Sequence, residues 1–340
     1  MTWAVYSFGA LALMLSLSMI SPTRIESTLF AAVFGLFLLF VGDELLRRYQ
    51  TRNLLPVEPR PDGVVVLTGA SSGLGREMAY ILAEKRYHLV LVARSEGTLH
   101  RMAKELHDVW DITAQVCNAD LSSPAGPQQV MDFVKKHSLQ VDILINCAGG
   151  TKHGDFTTVP EKDVTDLMHL NVLSYVEMCH LFLPGMLERR SGRILNVASI
   201  AAGSPMPGVA MYGGSKAFLI RFSQALAYEC RGVVGITAFC PGKVLSFEYS
   251  NVQAGPLHTP FGDTAGIGDA LVYKLPWVVD TKVSAKAAVD AVLDGTWSTS
   301  FDSWTSKIFF HTGMVFGEKQ LAALFCAVCW STPKTLVGSS

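Results

Sequence analysis

The chain has 340 residues, 28 basic against 29 acidic, for a net charge of −1. That balance removes the basic footprint nucleic-acid binding needs, and the length accommodates one large α/β domain or two small ones with ample core. Only 17% of residues are charged and the mean hydropathy is +0.30, apolar for a soluble protein, with the excess concentrated at the two ends.

Residues 1–23 carry no charged side chain, and neither do residues 27–42, with Arg24 and Glu26 between them. The second run is near the lower limit of about 17 residues for a bilayer span. Two spans forming a hairpin, or one span with a re-entrant or interfacial segment, both fit. A cleaved signal peptide is disfavoured, since there is neither a basic leading region nor a clear small-residue cleavage site. Arg47, Arg48 and Arg52 follow, and the positive-inside rule puts them, with everything downstream, on the cytosolic side. Residues 1–45 are therefore expected to be a membrane anchor and 46–62 a basic, proline-rich linker. A single catalytic domain is expected over 63–300 and a hydrophobic extension over 301–340. The seven scattered cysteines (117, 147, 179, 230, 240, 326 and 329) and the lack of any Asn-x-Ser/Thr sequon suit a reducing, cytosol-facing domain. Cys326 and Cys329 form a lone Cys-x-x-Cys with no second pair and no nearby His, so no metal is assigned to them.

From Gly63 onward, β-branched apolar runs at 64–69, 88–93, 113–119, 142–148, 193–199 and 235–241 predict strands. Amphipathic stretches at 76–85, 97–109 and 125–137 predict helices, with two more in 162–190, one over 212–231 and one over 284–295. Strands apolar on both faces and alternating with helices predict a Rossmann-like α/β fold, a doubly wound parallel sheet covered on both sides.

The first strand runs into Thr68, Gly69, Ala70, Ser71, Ser72, Gly73, Leu74 and Gly75, and then a helix. Glycines permit a tight turn and close backbone approach to a pyrophosphate, and the helix N-terminus offers free N–H groups to the anion. The spacing is Gly-x-x-x-Gly-x-Gly rather than Gly-x-Gly-x-x-Gly, and its strand–helix context points to nucleotide binding. The second strand ends at Ala93-Arg94, with no acid until Glu96. An acid there would bond the ribose 2′-OH of NAD, whereas an arginine suits the 2′-phosphate of NADP. NADP(H) is expected, with Arg94 at the phosphate, aided by Ser71 or Ser72.

Further on, Ser199, Tyr212 and Lys216 stand at intervals of thirteen and four residues. A free phenol has a pKa of about 10, which an ammonium one helical turn away lowers; positions i and i+4 share a helix face. Tyr-x-x-x-Lys is common by itself and gains meaning from the other residues.

Together the glycine loop and the Ser/Tyr/Lys trio resemble the short-chain dehydrogenase/reductase family, closely over 63–245 and loosely over 246–300. The resemblance implies that Asp120, followed by Leu121, holds the adenine ring. It implies that Asn146, Cys147, Ala148 and Gly149 support the sheet beside the cofactor, Cys147 standing where the family has Asn. That departure should cost a local hydrogen bond and leave the backbone path intact. The family's catalytic asparagine falls on Asn171, and its Pro-Gly against the nicotinamide falls on Pro241 and Gly242. Val244 follows, with Ser246 where Thr is usual. The implied chemistry is hydride transfer between nicotinamide and a carbonyl or alcohol carbon. Tyr212 is the general acid or base, and Lys216 lowers its pKa and holds the nicotinamide ribose. Ser199 steadies the substrate oxygen, and Asn171 links Lys216 to solvent through its backbone carbonyl and a water. No metal is required.

In such proteins the substrate meets segments corresponding to 150–156, 203–211 and 245–268, which here are rich in Gly, Pro and aromatics with few charges. A neutral or lipid-like carbonyl substrate is favoured over a sugar. Residues 320–330 are apolar but too short to span a bilayer. A core helix, a membrane-surface helix and a homodimer contact stay open, with surface attachment ranked ahead. The pattern resembles membrane-bound members such as 3-ketoacyl-CoA reductases and hydroxysteroid dehydrogenases, on an endoplasmic reticulum membrane and facing the cytosol. The competing class is a catalytically silent NADP(H)-binding membrane scaffold or sensor. The intact Asn/Ser/Tyr/Lys set argues against it, since nothing structural demands all four.

Overall fold

A computed structural model describes residues 54–242, 244–245, 279–296, 298–303, 306–307 and 310. The chain divides into two units, Met1–Arg52 and Asn53–Ser340, and the described residues all belong to the second. The expected membrane anchor, most of the 245–268 substrate segment and the 320–330 helix lie outside the described residues.

In chain order the elements are β1 (Gly63–Thr68), α1 (Gly73–Glu84), β2 (His88–Ala93), α2 (Glu96–Trp110), β3 (Ala114–Asn118), α3 (Gly126–Lys136) and β4 (Gln140–Asn146). There follow α4 (Glu161–Met168), a π-helical turn (His169–Leu173), α5 (Ser174–Glu188), β5 (Arg193–Val197), α6 (Ala210–Glu229) and β6 (Gly235–Cys240). The last are β7 (Val244–Leu245), β8 (Val279–Asp280), α7 (Thr281–Leu293) and β9 (Ser298–Phe301). Seven strands make one parallel sheet in the order β3-β2-β1-β4-β5-β6-β9, and β7 pairs with β8 apart from it. This is the doubly wound architecture expected.

The alternation of side chains along a strand explains the layering. In β1, Val65 and Leu67 face one core with Met78 and Leu82 of α1, Leu99 and Leu106 of α2, and Val289 and Val292 of α7. Val64 and Val66 face the other, with Val130 and Val134 of α3 and Met178, Phe182 and Met186 of α5. A strand buried on both faces needs this near-continuous apolar run. The strand order reverses between β1 and β4, which opens a crevice at their C-terminal ends.

Among the described residues one helical run, Glu161–Glu188, is long and apolar enough to cross a membrane. Half of its most apolar stretch is buried, and Met178, Phe182 and Met186 pack on the sheet. Its apolarity is that of a core helix.

Two features differ most from expectation. The seventh strand, β9, was not anticipated, because Ser-Thr-Ser-Phe is short and polar, and only its pairing with β6 makes it a strand. Residues 54–62, expected as linker, are pinned to the folded unit. The buried Arg193 donates from Nη2 to Leu55 O at 2.8 Å, and Tyr87 Oη donates to Val57 O at 2.6 Å. Arg60 forms a two-pronged pair with the buried Asp142, at 2.7 and 2.6 Å. These anchors lie 30 to 138 residues away in sequence, so composition alone reads the segment as a tether.

Candidate active site

Most of the residues expected to form the site converge on the crevice at the C-terminal ends of β1, β4, β5 and β6. The loop from β1 to α1 turns at Gly69, whose φ of +69° suits glycine. Gly75, in the first turn of α1, lies so close to that turn that a Cβ there would stand 2.3 Å from Gly69 O. Ser72 caps α1 in extended geometry without a side-chain bond to the helix N–H groups. The result is a bare backbone cradle at a helix N-terminus, which fits a pyrophosphate. Ser71, Ser72, Gly73 and Leu74 are half-buried, with Leu74 against the first core.

Thr68 is only 1% exposed, and it acts on the sheet. Its Oγ1 accepts from the N–H groups of Cys147 (2.9 Å) and Ala148 (3.0 Å) and donates to Ile145 O (3.3 Å). This ties the end of β1 to the end of β4. The backbone path through Cys147 is therefore intact without the family's asparagine, and burial pushes the Cys147 thiol up to about 12. Asn146 also points inward: its Nδ2 donates to Asn196 Oδ1 at 2.9 Å, and Asn196 Nδ2 donates to Ser223 Oγ at 2.9 Å. That buried chain joins β4, β5 and α6, and no sequence spacing announces Asn196 or Ser223.

Arg94 is exposed just after the end of β2. Burial pushes the Asp120 carboxyl up, but two hydrogen bonds from Ser122 (2.7 and 3.0 Å) and the charges of Arg94 and Lys162 outweigh it, leaving the group below its ordinary value. Leu121 is buried in the second core.

Asn171 sits in the π-helical turn, where an extra residue in the turn redirects a side chain, a device frequent at functional sites. Its Nδ2 donates to Gly150 O at 2.8 Å and its Oδ1 accepts from Gly150 N at 3.0 Å. A Cβ on Gly149 would lie 3.3 Å from Asn171 Oδ1 and 3.4 Å from Lys216 Nζ, so glycine leaves room where these two side chains meet.

Strand β5 stops at Val197, two residues earlier than expected, and Ser199 caps the short 3-10 turn Ile200–Gly203, its Oγ accepting from Ala201 N at 3.1 Å. Tyr212 and Lys216 lie one turn apart on α6. Lys216 Nζ donates to Val197 O at 2.9 Å and stands 5.8 Å from the Tyr212 ring centre and 5.2 Å from that of Tyr175. Burial lowers the Lys216 pKa from its ordinary 10.5 to about 8.

Pro241 and Gly242 follow β6. Pro241 O accepts from Ile200 N at 3.2 Å, joining this turn to the Ser199 turn. Gly242 N donates to Asp302 Oδ2 at 2.7 Å, and the same oxygen accepts from Ser284 Oγ at 3.0 Å. Val244 is the first residue of β7. Asp302, delivered by the unexpected β9, is a site neighbour that sequence alone missed. Two expected substrate segments also meet, through Gly154 N to Gly208 O at 2.9 Å.

The family model for short chain dehydrogenase matches residues 63–255. The very-long-chain 3-oxoacyl-CoA reductase of Laccaria bicolor is 36% identical over 181 residues, 53% of this chain and 54% of that protein. Hydroxysteroid dehydrogenase-like protein 1 of Gallus gallus is 33% identical over 166 residues, 48% of this chain and 50% of that protein. The chain thus spans about half the length of these curated relatives. A short-chain dehydrogenase from Sphingobium yanoikuyae, solved in complex with NADPH, superposes with a TM-score of 0.62 at 26% identity, covering 74% of this chain and 94% of that one.

Proposed function

This chain belongs to the short chain dehydrogenase family, and from that premise we propose that it is an NADP(H)-dependent oxidoreductase acting on a hydrophobic carbonyl or alcohol. The substrate class is a lipid-like ketone, foremost a 3-oxoacyl-CoA. The observation that carries the reading is the buried Lys216 Nζ, 5.8 Å from the Tyr212 ring centre, with Gly149 leaving room beside it and Asn171 Oδ1.

When bound, NADP(H) supplies the hydride donor or acceptor. Thr68 to Gly75 would hold its pyrophosphate, Arg94 with Ser71 or Ser72 its 2′-phosphate, and Asp120 and Leu121 its adenine side. Lys216, Pro241, Gly242 and the backbone at Val244 would hold the nicotinamide end, beside Asn146, Ala148 and Gly149. Tyr212 gives its hydroxyl proton to the substrate oxygen in reduction and takes one back in oxidation. Ser199 Oγ is kept in place by the turn it caps and steadies the charge that develops on that oxygen. The Lys216 ammonium favours the Tyr212 phenolate, and Asn171 holds the turn through which Lys216 regains its proton.

The anchor of this reading is residues 1–45, supported by the two uncharged runs and the arginines after them. On this reading the enzyme sits on the endoplasmic reticulum membrane, and the arginines after the runs favour a catalytic domain facing the cytosol.

The test is NADPH oxidation by the full chain in detergent against 3-oxoacyl-CoAs, 3-ketosteroids, ketosphinganine and retinal. Turnover of 3-oxoacyl-CoA above the others is expected. NADPH binding with no turnover across the panel would replace the enzyme reading by that of an NADP(H)-binding scaffold.

Cofactor choice has its own test. Arg94→Ala should weaken NADPH binding about 10- to 100-fold, the worth of a charge-assisted hydrogen bond, and change NADH binding little. Equal loss for both cofactors would remove Arg94 from the 2′-phosphate.

A further inference from the structure

Tyr175 carries no motif in the sequence, yet it occupies the middle of the site. It lies one helical turn after Asn171, at the start of α5, and is 1% exposed. A buried phenol is costly unless its hydroxyl is bonded, and Phe or Leu would fill a core position without that demand. Its Oη donates to Ala148 O at 2.8 Å, just beyond the end of β4. The same oxygen is 3.4 Å from Val197 O, the carbonyl that accepts the Lys216 ammonium at 2.9 Å. The ring faces that ammonium from 5.2 Å, within the roughly 6 Å over which an aromatic face attracts a cation.

We infer that Tyr175 is the positioning residue for Lys216, its ring holding the amine in the charged form and its hydroxyl fixing the two strand ends beside it. The inference rests on the oxidoreductase reading above. Burial opposes the ammonium, and the other groups facing it do little to offset that. Cys147 beyond β4 and Cys240 at the end of β6 are both thiols pushed up by burial, so both are neutral near pH 7. The Asp302 carboxylate acts on Cys240. Tyr212 faces the ammonium from its own helix. Among the described residues, two aromatic rings face the charge besides Val197 O, and the Tyr175 ring is the nearer. Tyr175 itself carries no proton in turnover, because burial raises its phenol well above the ordinary range.

The experiment follows NADPH binding to the full chain by fluorescence as a function of pH, which needs no turnover. Lys216 in its charged form holds the nicotinamide ribose, so wild-type affinity should fall as pH passes about 8. Tyr175→Leu, lacking the ring, should move that midpoint down by about one pH unit, the scale of a desolvated cation–π contact. Tyr175→Phe should keep the wild-type midpoint and weaken binding about three- to tenfold, the scale of one hydrogen bond. If Tyr175→Leu fails to fold, Tyr175→Met carries the same expectation. Equal midpoints in wild type and the ringless variant overturn the inference. A Tyr175→Phe that binds NADPH as wild type does removes the role of the hydroxyl. A folded wild type that binds NADPH at no pH overturns the oxidoreductase reading, and this inference with it.

Discussion

Tyr212→Phe is expected to lower turnover by about 10²- to 10⁴-fold, the range of a positioned acid–base group, while NADPH affinity changes by less than about threefold. The phenyl ring can keep the place of the phenol in the first turns of α6, 5.8 Å from the Lys216 ammonium. What is lost is the proton. Ser199 cannot take over that role, because a serine hydroxyl does not ionise near neutral pH; accepting from Ala201 N leaves its O–H free only to hydrogen-bond the substrate oxygen. Steady-state rates with the best ketone of the panel, together with cofactor binding by fluorescence, separate the two effects. A variant that retains turnover would remove Tyr212 from proton transfer. One that loses NADPH binding in parallel would make its role structural.

Lys216→Met should abolish measurable activity and make the fold more stable at pH 7. The physical reason is that a buried ammonium is costly, and the folded-state pKa of about 8 against an ordinary 10.5 measures that cost. The gap corresponds to on the order of 3 kcal/mol, from which the lost hydrogen bond to Val197 O takes back about 1 kcal/mol. Between pH 8 and 10.5 the unfolded chain binds more protons at this site than the folded one, so wild-type stability rises with pH through that window. The advantage of the methionine variant is therefore full below about pH 8 and shrinks towards pH 10.5. Thermal unfolding at pH 7 and pH 10 should show a gain of several degrees that narrows at the higher pH. A variant less stable than wild type at both would mean that the Val197 carbonyl and the Tyr175 ring more than offset the burial of the charge.

Both experiments concern residues legible in the sequence, and the reason is geometric. Tyr212 and Lys216 are four residues apart on one helix, so their meeting follows from helical periodicity alone. Thr68 to Gly75 is a turn between a strand and a helix, and its glycines are required by the local backbone. The parallel sheet is legible because strands such as β1 are apolar on both faces, which only a sheet covered on two sides can satisfy.

Where the sequence fell short, the missing information was a long-range partner. β9 is a strand because β6 pairs with it. Residues 54–62 belong to the folded unit because Arg193 and Tyr87 capture their carbonyls. Asn146, expected to support the sheet beside the cofactor, bonds Asn196, a partner 50 residues on that no local pattern announces.

The doubly wound sheet, the glycine turn and the Tyr212–Lys216 pair are all legible in the chain, since each rests on contacts within a few residues or on a pattern repeated along it. That Tyr175 and Val197 meet the Lys216 ammonium and that Asp302 reaches Gly242 is set by packing between distant elements. These partners come from separate elements, and the crossing of helices over the sheet, invisible in any window of sequence, brings them within bonding distance.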